Sequence, residues 1–315
     1  MTHILLTGAG FSRNWGGWLA NEVFEYLLGC REIDDRLRHD LWQTKLHGGN
    51  FEDTLAGLQQ DFEHHPTINN QLRLDGINNA LVGMFKAMAK GFVRNFEWNR
   101  NKEYWVATFL NRFTSIFTLN QDTLLEQHYF LPDARDRWWH IPGMCPEKMD
   151  RPPDRVTTES PAEEFRLDPK LVPYMKLHGS CNWRMSRGVG APILVMGGNK
   201  IASINRFPIL KRYHEEFKTC ISQHGARLMV IGYSFNDLHI NQAINEAVQT
   251  HSLKIFIIDR LGVDVLNNRG PAALKSSSAP DIEKLGPHII GASRRPLSAI
   301  FGDDKVEFHK VCRFF

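Results

Sequence analysis

The sequence predicts an α/β fold in which helices cover both faces of a parallel, Rossmann-like sheet. Short apolar runs alternate with segments of helical periodicity, which is the pattern of a parallel sheet. Several runs are continuous rather than alternating, as expected for strands that are buried on both faces. Polar or glycine-rich phrases follow these runs, and ligands bind at the carboxyl ends of such strands. The sequence therefore also predicts a site at that edge of the sheet.

The elements are assigned in chain order. Residues 3–6 are predicted to form the first strand, and a glycine turn and a helix at 18–28 come next. Residues 30–112 are expected to form a helical insertion, because apolar side chains recur three and four apart through much of this stretch. Residues 131–170 hold seven of the 15 prolines and are predicted to be an irregular loop. The other strands are predicted at residues 115–118, 172–177, 193–196, 227–231 and 254–258, with helices at 123–130, 209–225 and 237–251.

The composition is that of an ordinary globular protein, with 42% hydrophobic and 23% charged residues. Basic residues number 38 and acidic residues 35, and the net charge of +3 does not indicate a nucleic-acid partner. No apolar run approaches the roughly 18 residues of a membrane-spanning helix, and residues 1–12 lack the basic start and cleavage site of a signal peptide. We therefore expect a cytoplasmic protein without direct contact to membrane or nucleic acid.

Residues 8–12, with the sequence GAGFS, follow the first strand. Their functional interpretation is a backbone cradle for a pyrophosphate, in which Gly8 and Gly10 allow close approach and the N-terminus of the next helix favours the anion. The alternative is that a small-residue turn after a strand serves only close packing. The phrase lacks the full G-x-G-x-x-G pattern, so by itself it does not decide between the two.

Four polar residues are further candidates. Asn120 and Asp122 come just after the predicted strand at residues 115–118, and together they suit a ribose, a carboxamide or a bound water. Their alternative is an Asx turn that caps the following helix. His178 ends a strand directly before a glycine, where an imidazole can face a pocket, although a lone histidine is more often structural. Asp259 can accept hydrogen bonds from ribose hydroxyls or cap a turn.

Four phrases in this order at strand ends resemble the sirtuin family of NAD-consuming enzymes. Sirtuins carry GAG-x-S at the first strand-to-helix turn, a TQNID-like segment, an HG with the general base, and a GTS-like turn. The matching stretches here are GAGFS at residues 8–12, TLNQD at 118–122, HG at 178–179 and GYS at 232–234.

The resemblance spans roughly residues 3–260. It implies that residues 1–260 form an NAD-binding catalytic domain. We expect residues 261–315 to be an extension that packs on this domain or on a partner, with a surface loop at KSSSAPD, residues 275–281.

The resemblance also implies a role for each matching residue. Asn120 would hold a water or the ribose near the anomeric carbon, and His178 would act as general base toward a ribose hydroxyl or the water. Asp122 would orient the nicotinamide ribose or the carboxamide. Gly8, Ala9, Gly10 and Ser12 would contact the phosphates of NAD. Gly232 and Ser234 would contact a phosphate or the adenine-side ribose, and Asp259 would contact ribose hydroxyls.

Departures from the family pattern bear on the activity. Deacylating sirtuins carry a four-cysteine zinc module after the HG, whereas this chain has five scattered cysteines, no C-x-x-C pair and only Cys181 nearby. One thiolate cannot fill a tetrahedral zinc site, so we expect no zinc module and no metal. The deacylases continue the first loop as GIPDFR, but residues 14–19 here read NWGGWL, without that acid and arginine. Residues 232–241, GYSFNDLHIN, are more similar to bacterial sirtuin-like domains that hydrolyse NAD during antiphage defence.

The resemblance therefore implies an NAD glycohydrolase, which cleaves its substrate NAD to nicotinamide and ADP-ribose and depletes it during defence. Two alternatives remain open. One is an NAD-dependent protein deacylase, against which the missing cysteines argue. The other is a non-catalytic subunit that senses NAD or ADP-ribose, against which the intact Asn120 and His178 argue.

Such an activity must be held in check, and only about 55 residues follow residue 260. We therefore expect control by assembly into a homo-oligomer or by a partner protein. The resemblance implies a HerA-type ATPase, an Argonaute-like protein or a nucleotide-sensing subunit. The helical insertion, with Trp42, Trp98 and Trp105 in or near it, is the predicted contact surface, although tryptophans are more often core residues.

Overall fold

The computed structural model describes residues 1–92, 95–129, 139–146, 156–158, 165–168, 170–184, 192–267 and 282–315. The strands in these residues are β1 (His3–Thr7), β2 (Ser115–Thr118), β3 (Trp139–His140), β4 (Met144–Pro146), β5 (Val156–Thr158), β6 (Val172–Lys176), β7 (Gly179–Arg184), β8 (Pro192–Leu194), β9 (Arg227–Ile231), β10 (Lys254–Ile258) and β11 (Ile289–Ser293).

The helices in the same residues surround a central sheet. They are α1 (Ala9–Ser12), α2 (Ala20–Leu28), α3 (Asp35–Leu46), α4 (Phe51–His64), α5 (Ile68–Gly91), α6 (Val106–Leu110), α7 (Leu124–Tyr129), α8 (Lys200–Asn205), α9 (Pro208–Ile221), α10 (Leu238–His251), α11 (Ile282–Leu285), α12 (Leu297–Ile300) and α13 (Lys305–Cys312). Among these described helices, none combines the length and the apolar character that crossing a bilayer requires.

The central sheet has seven strands in the order β11-β10-β9-β1-β2-β6-β3, and every neighbouring pair is parallel. This confirms the predicted Rossmann-like α/β fold. Its strands are nearly continuous apolar runs because both faces are covered: Ile4, Leu5 and Leu6 of β1 are fully buried. The predicted strands at 115–118, 227–231 and 254–258 coincide with β2, β9 and β10.

A second sheet of four short strands, in the order β4-β5-β7-β8, was not predicted. The predicted strand at residues 193–196 forms as β8, but it pairs antiparallel with β7 in this small sheet instead of joining the parallel one. Gly179 explains the difference, since its φ of +74° turns the chain directly after His178. A side chain at position 179 would meet the carbonyl oxygen of Ile193 at 2.0 Å, so this approach requires glycine.

The predicted C-terminal extension adds to the central sheet. Residues 289–293 form β11, which pairs in parallel with β10 at the edge of the sheet. The chain end packs inward, and the Arg227 guanidinium donates a hydrogen bond of 2.7 Å to the carbonyl oxygen of Phe314. The Phe314 ring lies 5.9 Å from the ring of Phe113. The loop predicted at residues 275–281 lies outside the described residues.

The region of the predicted insertion is helical, with α3 to α6 in it. Its tryptophans differ in exposure: Trp42 is 44% exposed, whereas Trp98 stacks on the fully buried Trp15 at 4.5 Å. The indole of Trp105 donates a hydrogen bond of 2.8 Å to the carbonyl oxygen of Asn99. Trp98 and Trp105 therefore have structural contacts within the chain. Whether the region also binds a partner stays a prediction.

The predicted irregular loop at residues 131–170 is described only in part. Three short strands, β3, β4 and β5, form within it. The remainder of the loop lies outside the described residues.

A buried ion pair connects β6 to α7. The Lys176 ammonium lies 2.7 Å from a carboxylate oxygen of Glu126, and the two side chains are 0% and 1% exposed. Lys176 also donates to the carbonyl oxygen of Asp122. Burial raises the pKa of Glu126 more than the neighbouring ammonium lowers it. Each charge therefore depends on the other for compensation.

We predict that Lys176→Met lowers the free energy of unfolding by about 3–5 kcal/mol, because it leaves a buried carboxyl group unpaired. Replacing both partners, with Lys176→Met and Glu126→Leu together, should cost less than the single substitution. Urea denaturation measures both values.

The matched control is Arg206→Met. Arg206 lies 3.6 Å from Glu63 in a pair that is more than half exposed, so its loss should cost less than about 1 kcal/mol. An equal cost for Lys176→Met and Arg206→Met would contradict the assigned role of the buried pair.

Candidate functional site

The polar phrases of the sequence meet at the carboxyl edge of the central sheet. Thr7 of β1 is paired with Thr118 of β2, and Thr118 is paired with Lys176 of β6. Asn120 and His178 therefore both lie two residues beyond paired positions on adjacent strands. The motifs after β9 and β10 lie at the same edge, where the sequence predicts a site.

The first loop lies against the turn that follows β9. The Gly8 amide donates to the Ile231 carbonyl oxygen at 3.0 Å, and the Gly10 amide donates to the Gly232 carbonyl oxygen at 2.9 Å. A side chain at position 8 would meet that same Gly232 oxygen at 2.6 Å. Close packing, the alternative kept open for these glycines, is therefore present. A contact of Gly8, Ala9 or Gly10 with phosphates stays a prediction.

A side-chain hydrogen bond joins the first two phrases. The Asn120 amide nitrogen donates to the Ser12 hydroxyl oxygen at 2.9 Å. The Asn120 backbone is positioned by its own amide, which donates to the Thr118 hydroxyl at 3.0 Å. Thr7 donates to that same hydroxyl at 2.7 Å, so the arrangement is continuous from β1 to β2. Two residues predicted to contact NAD are thus brought together.

The two aspartates have turn-capping roles. An Asp122 carboxylate oxygen accepts from the Leu124 amide at 2.9 Å, at the start of α7. An Asp259 carboxylate oxygen accepts from the Leu261 amide at 2.9 Å, and burial raises the pKa of Asp259. Asx turns were the alternative for both residues, and the geometry shows them. Their predicted contacts with NAD remain untested by this geometry.

The turn after β9 is held in an unusual backbone conformation. Gly232 has φ of +62° and Phe235 has φ of +56°, which is uncommon for a bulky residue. The Tyr233 hydroxyl accepts from the Asp237 amide at 3.0 Å and donates to the Asn241 side-chain oxygen at 3.0 Å. This network orients the turn. Ser234, the predicted phosphate or ribose contact, is exposed at its tip.

His178 lies in a cluster of three histidines. Its Nε2 atom is 3.1 Å from Nε2 of His239, which is on α10. His214, on α9, places Nε2 2.9 Å from the carbonyl oxygen of Leu177. Burial lowers the pKa of all three, to about 3 for His214, to about 4 for His239, and well below the usual value for His178. The imidazoles are therefore neutral near pH 7, and burial makes each a weaker base than a free imidazole.

A charged group of three residues lies beside the histidines. The Lys200 ammonium is 2.7 Å from a carboxylate oxygen of Asp237 and 2.7 Å from one of Glu52. Burial by itself raises the pKa of Asp237, but the ammonium of Lys200 outweighs it and holds that pKa well below its usual value. The two carboxylates likewise outweigh burial and raise the pKa of Lys200. The group carries a net charge of −1.

His178 is enclosed in this structure, with only 2% of its surface exposed. Two surface cavities in the described residues are well formed enough to compare with the site. One, of about 350 Å³, lies beyond β10 and β11 beside Gly262 and Ser293, and the other, of about 590 Å³, lies between α3 and the start of α5. Neither is lined by Asn120 or His178. A substrate would therefore reach His178 only after neighbouring groups move.

Several of the residues around His178 were not predicted from the sequence. His239 was visible in the GYSFNDLHIN phrase, but nothing in the sequence connects it with His214, which is 25 positions earlier on another helix. Glu52 and Lys200 are separated by more than 140 residues and meet only because α4 and α8 pack near the same edge. The spacing of these residues carries no signal, since their proximity is tertiary.

Comparison with known proteins agrees with this arrangement. A protein-family model described as a SIR2-like domain matches residues 114–274, which include β2, β6, β9 and β10 with the phrases that follow them. A search of curated proteins finds no match.

We predict that Gly232→Ala destabilises the protein by more than the cost of its backbone conformation. A residue with a Cβ pays about 1–2 kcal/mol for the left-handed region. At position 232 the Cβ would also meet backbone atoms of Gly10 and Phe11 at 2.4 Å. Thermal or urea unfolding measures the difference from the wild type.

Gly225→Ala isolates the conformational part of that cost. Gly225 has a similar φ of +70°, and nothing lies within 4 Å of the position that a Cβ would take. The Gly232 variant should be the less stable of the two. Equal stabilities would mean that the first loop and the turn after β9 do not depend on this close approach.

Proposed function

The chain belongs to the SIR2-like domain family, and from that premise we propose that it is an NAD glycohydrolase, which cleaves NAD to nicotinamide and ADP-ribose. SIR2-like domains use NAD as substrate, so an NAD-related activity follows from the family itself. One observation supports the more specific proposal, NAD glycohydrolysis. The hydrogen bond between Asn120 and Ser12 joins two NAD-contact candidates that follow the paired strands β2 and β1, and β2 is also paired with β6, which ends two residues before His178.

The proposed reaction needs a positioned water and a base. The amide group of Asn120 holds the water or the ribose near the anomeric carbon, and orientation of this kind can lower a barrier by several kcal/mol. As water adds to that carbon, His178 accepts its proton. The glycosidic bond to nitrogen breaks, and its electron pair neutralises the pyridinium ring. The leaving group is already cationic in NAD, so departure does not require a metal ion.

The remaining contacts are assigned by the resemblance. Ser12 and the amides of the first loop would face the phosphates of NAD. Ser234 would contact a phosphate or the adenine-side ribose. Asp122 and Asp259 would use carboxylate oxygens beyond those that cap their turns. A carboxylate has two oxygens and about four acceptor positions, so a capping role and a ribose contact are compatible.

The segment after His178 does not support the alternative function, that of a protein deacylase. In deacylating sirtuins this segment leads into the four-cysteine zinc module, whereas here it forms β7, with Cys181 buried in it. The absence of any C-x-x-C pair in the chain points the same way.

We predict that the protein, alone or with its activating partner, releases nicotinamide from NAD without an acylated peptide. Asn120→Ala and His178→Ala should each reduce the rate by about 10²- to 10⁴-fold while the protein stays folded, as expected when one positioned catalytic group is lost. Chromatography of the products and circular dichroism of the variants measure the two effects.

The control variant is Asn21→Ala. Asn21 is exposed on α2, and its side chain accepts from the Lys45 ammonium at 2.9 Å, away from the residues assigned to NAD. It should keep most of the activity. NAD turnover that requires an acyl-lysine peptide would favour deacylation, and unchanged turnover in both site variants would assign Asn120 and His178 to structural roles.

We further infer that activity is controlled by assembly. The enclosed position of His178 supports this, because a base that substrate cannot reach is inactive at rest. The first loop is a candidate for the required movement. It is held by Asn14, which donates to the Gly10 carbonyl oxygen at 2.9 Å and accepts from the Leu297 amide at 3.1 Å. A partner that binds the open state more tightly would shift the equilibrium toward it.

The expected result is a homo-oligomer that packs through the helical region, with low turnover in the free protein and higher turnover on further assembly or partner binding. Light scattering beside an NAD assay over a concentration series measures both. A monomer that is fully active at every concentration would refute control by assembly.

The biological role that we propose is NAD depletion in bacterial antiphage defence. It rests on the resemblance of residues 232–241 to defence-associated sirtuin-like domains. The partner classes implied by that resemblance are a HerA-type ATPase, an Argonaute-like protein and a nucleotide-sensing subunit. Co-expression of each with this chain, followed by NAD measurement in infected cells, tests the role.

A further inference from the structure

Three imidazoles converge beside the proposed catalytic edge. One potential ligand atom from each of His178, His214 and His239 lies within 4.8 Å of the other two. The rings come from three separate elements: the turn after β6, α9 and α10. A lone histidine at a strand end is commonly structural, but convergence of three neutral imidazoles from distant segments is the donor set of a transition-metal site.

The spacing of the ligand atoms is close to that of a metal centre. Zn²⁺ binds imidazole nitrogen at about 2.0–2.1 Å, so two ligands of a tetrahedral site are about 3.3 Å apart. The Nε2 atoms of His178 and His239 are 3.1 Å apart. The third ligand atom, within 4.8 Å, needs to move inward by at most about 1.5 Å. Rotation of one imidazole side chain supplies a movement of that size.

A backbone hydrogen bond fixes the tautomer of His214. Its Nε2 atom is 2.9 Å from the Leu177 carbonyl oxygen, and a carbonyl can only accept, so Nε2 carries the proton. The lone pair is then on Nδ1. Metal-binding histidines usually donate their other N–H to a carbonyl or carboxylate in this way, which fixes the tautomer and the ring orientation. For His178 and His239, metal binding requires the Nδ1–H tautomer and replaces the hydrogen bond between their Nε2 atoms.

The surrounding charge favours a cation. The group of Lys200, Asp237 and Glu52 carries a net charge of −1, and Asp237 is two positions before His239. Lys218 is the opposing positive charge near His214 and His239, but its side chain is exposed and its effect is screened by solvent. The partly buried carboxylates of Asp237 and Glu52 therefore partly compensate a divalent ion.

We propose that His178, His214 and His239 form a binding site for a divalent transition cation of the Zn²⁺ class. Three imidazoles leave one position of a tetrahedral ion for water. The expectation that the chain binds no metal was drawn from the cysteine pattern, and cysteines are not among these ligands. Within the described residues, no other cluster of histidine, cysteine and carboxylate side chains has this geometry.

The site has a consequence for catalysis, and this part rests on the proposed function. A cation bound to His178 occupies the lone pair that would otherwise accept a proton from water. Zn²⁺ therefore inhibits NAD hydrolysis, and its removal restores it. Metal occupancy and general-base catalysis exclude each other at this residue.

The test uses the full chain after treatment with a chelator, with Co²⁺ as the spectroscopic probe. Four-coordinate Co²⁺ has a visible absorption band that reports direct ligation. The variants are His214→Gln, which keeps an N–H for the Leu177 carbonyl, and His239→Gln. The control is His224→Gln, because His224 is exposed and lies outside the cluster. Circular dichroism confirms that each variant is folded.

Wild-type and His224→Gln protein should bind one Co²⁺ per chain with equal affinity, and Zn²⁺ should displace it. His214→Gln and His239→Gln should bind at least about 100-fold more weakly. No visible band with the wild type, or equal affinities for His214→Gln and His224→Gln, would overturn the site.

An NAD assay on the same samples separates this proposal from the proposed function. Chelator-treated protein that hydrolyses NAD but fails to bind Co²⁺ refutes the metal site alone. Protein that binds Co²⁺ but hydrolyses no NAD, with or without metal and also in the presence of its activating partner, refutes the proposed function and supports the site. Zn²⁺ that binds without lowering NAD turnover refutes the inhibitory consequence.

Discussion

The site depends on the close approach of two backbone segments at the carboxyl edge of the central sheet. The first loop, with Gly8 and Gly10, lies directly against Gly232, and two amides of the loop donate to carbonyl oxygens at the end of β9. Because no side chain separates them, the loop enters α1 in one direction only. That direction places the Ser12 hydroxyl within hydrogen-bond distance of Asn120. The glycines thus act on the site through packing, whatever further contact they make with a substrate.

Burial determines the electrostatic character of this edge. Ionised groups deep in a protein need partners, and Lys176 with Glu126 and Lys200 with two carboxylates satisfy this requirement. The histidines face the carboxylate of Asp237, but burial outweighs it and keeps them neutral. A neutral imidazole carries a lone pair, on which both the proposed base and the proposed metal site depend. His178 is enclosed, and this enclosure is the reason that access to it is proposed as the point of control.

The sequence alone was sufficient for the parallel α/β core of the architecture. Continuous apolar runs indicated strands buried on both faces, and β2, β9 and β10 begin and end where the runs do. The order of the phrases at strand ends was sufficient for the family. Both signals are local, since each depends on residues adjacent in the chain. The small sheet was missed because the turn at Gly179, which directs β7 toward β8, depends on a contact with a distant strand.

At the site, the sequence determined which residue types occur at the strand ends, and the tertiary structure decided what each one contacts. Asn120 and His178 were identified from their positions after strands. For Asp122 and Asp259, the sequence left two roles open, a contact with NAD and the capping of a turn, and the structure shows the capping. The histidine cluster was not predictable at all, because His178 and His214 are 36 positions apart and no pattern of spacing relates a turn to a helix that packs beside it. Local periodicity specifies elements, whereas the neighbours of a buried polar group are set by the packing of those elements.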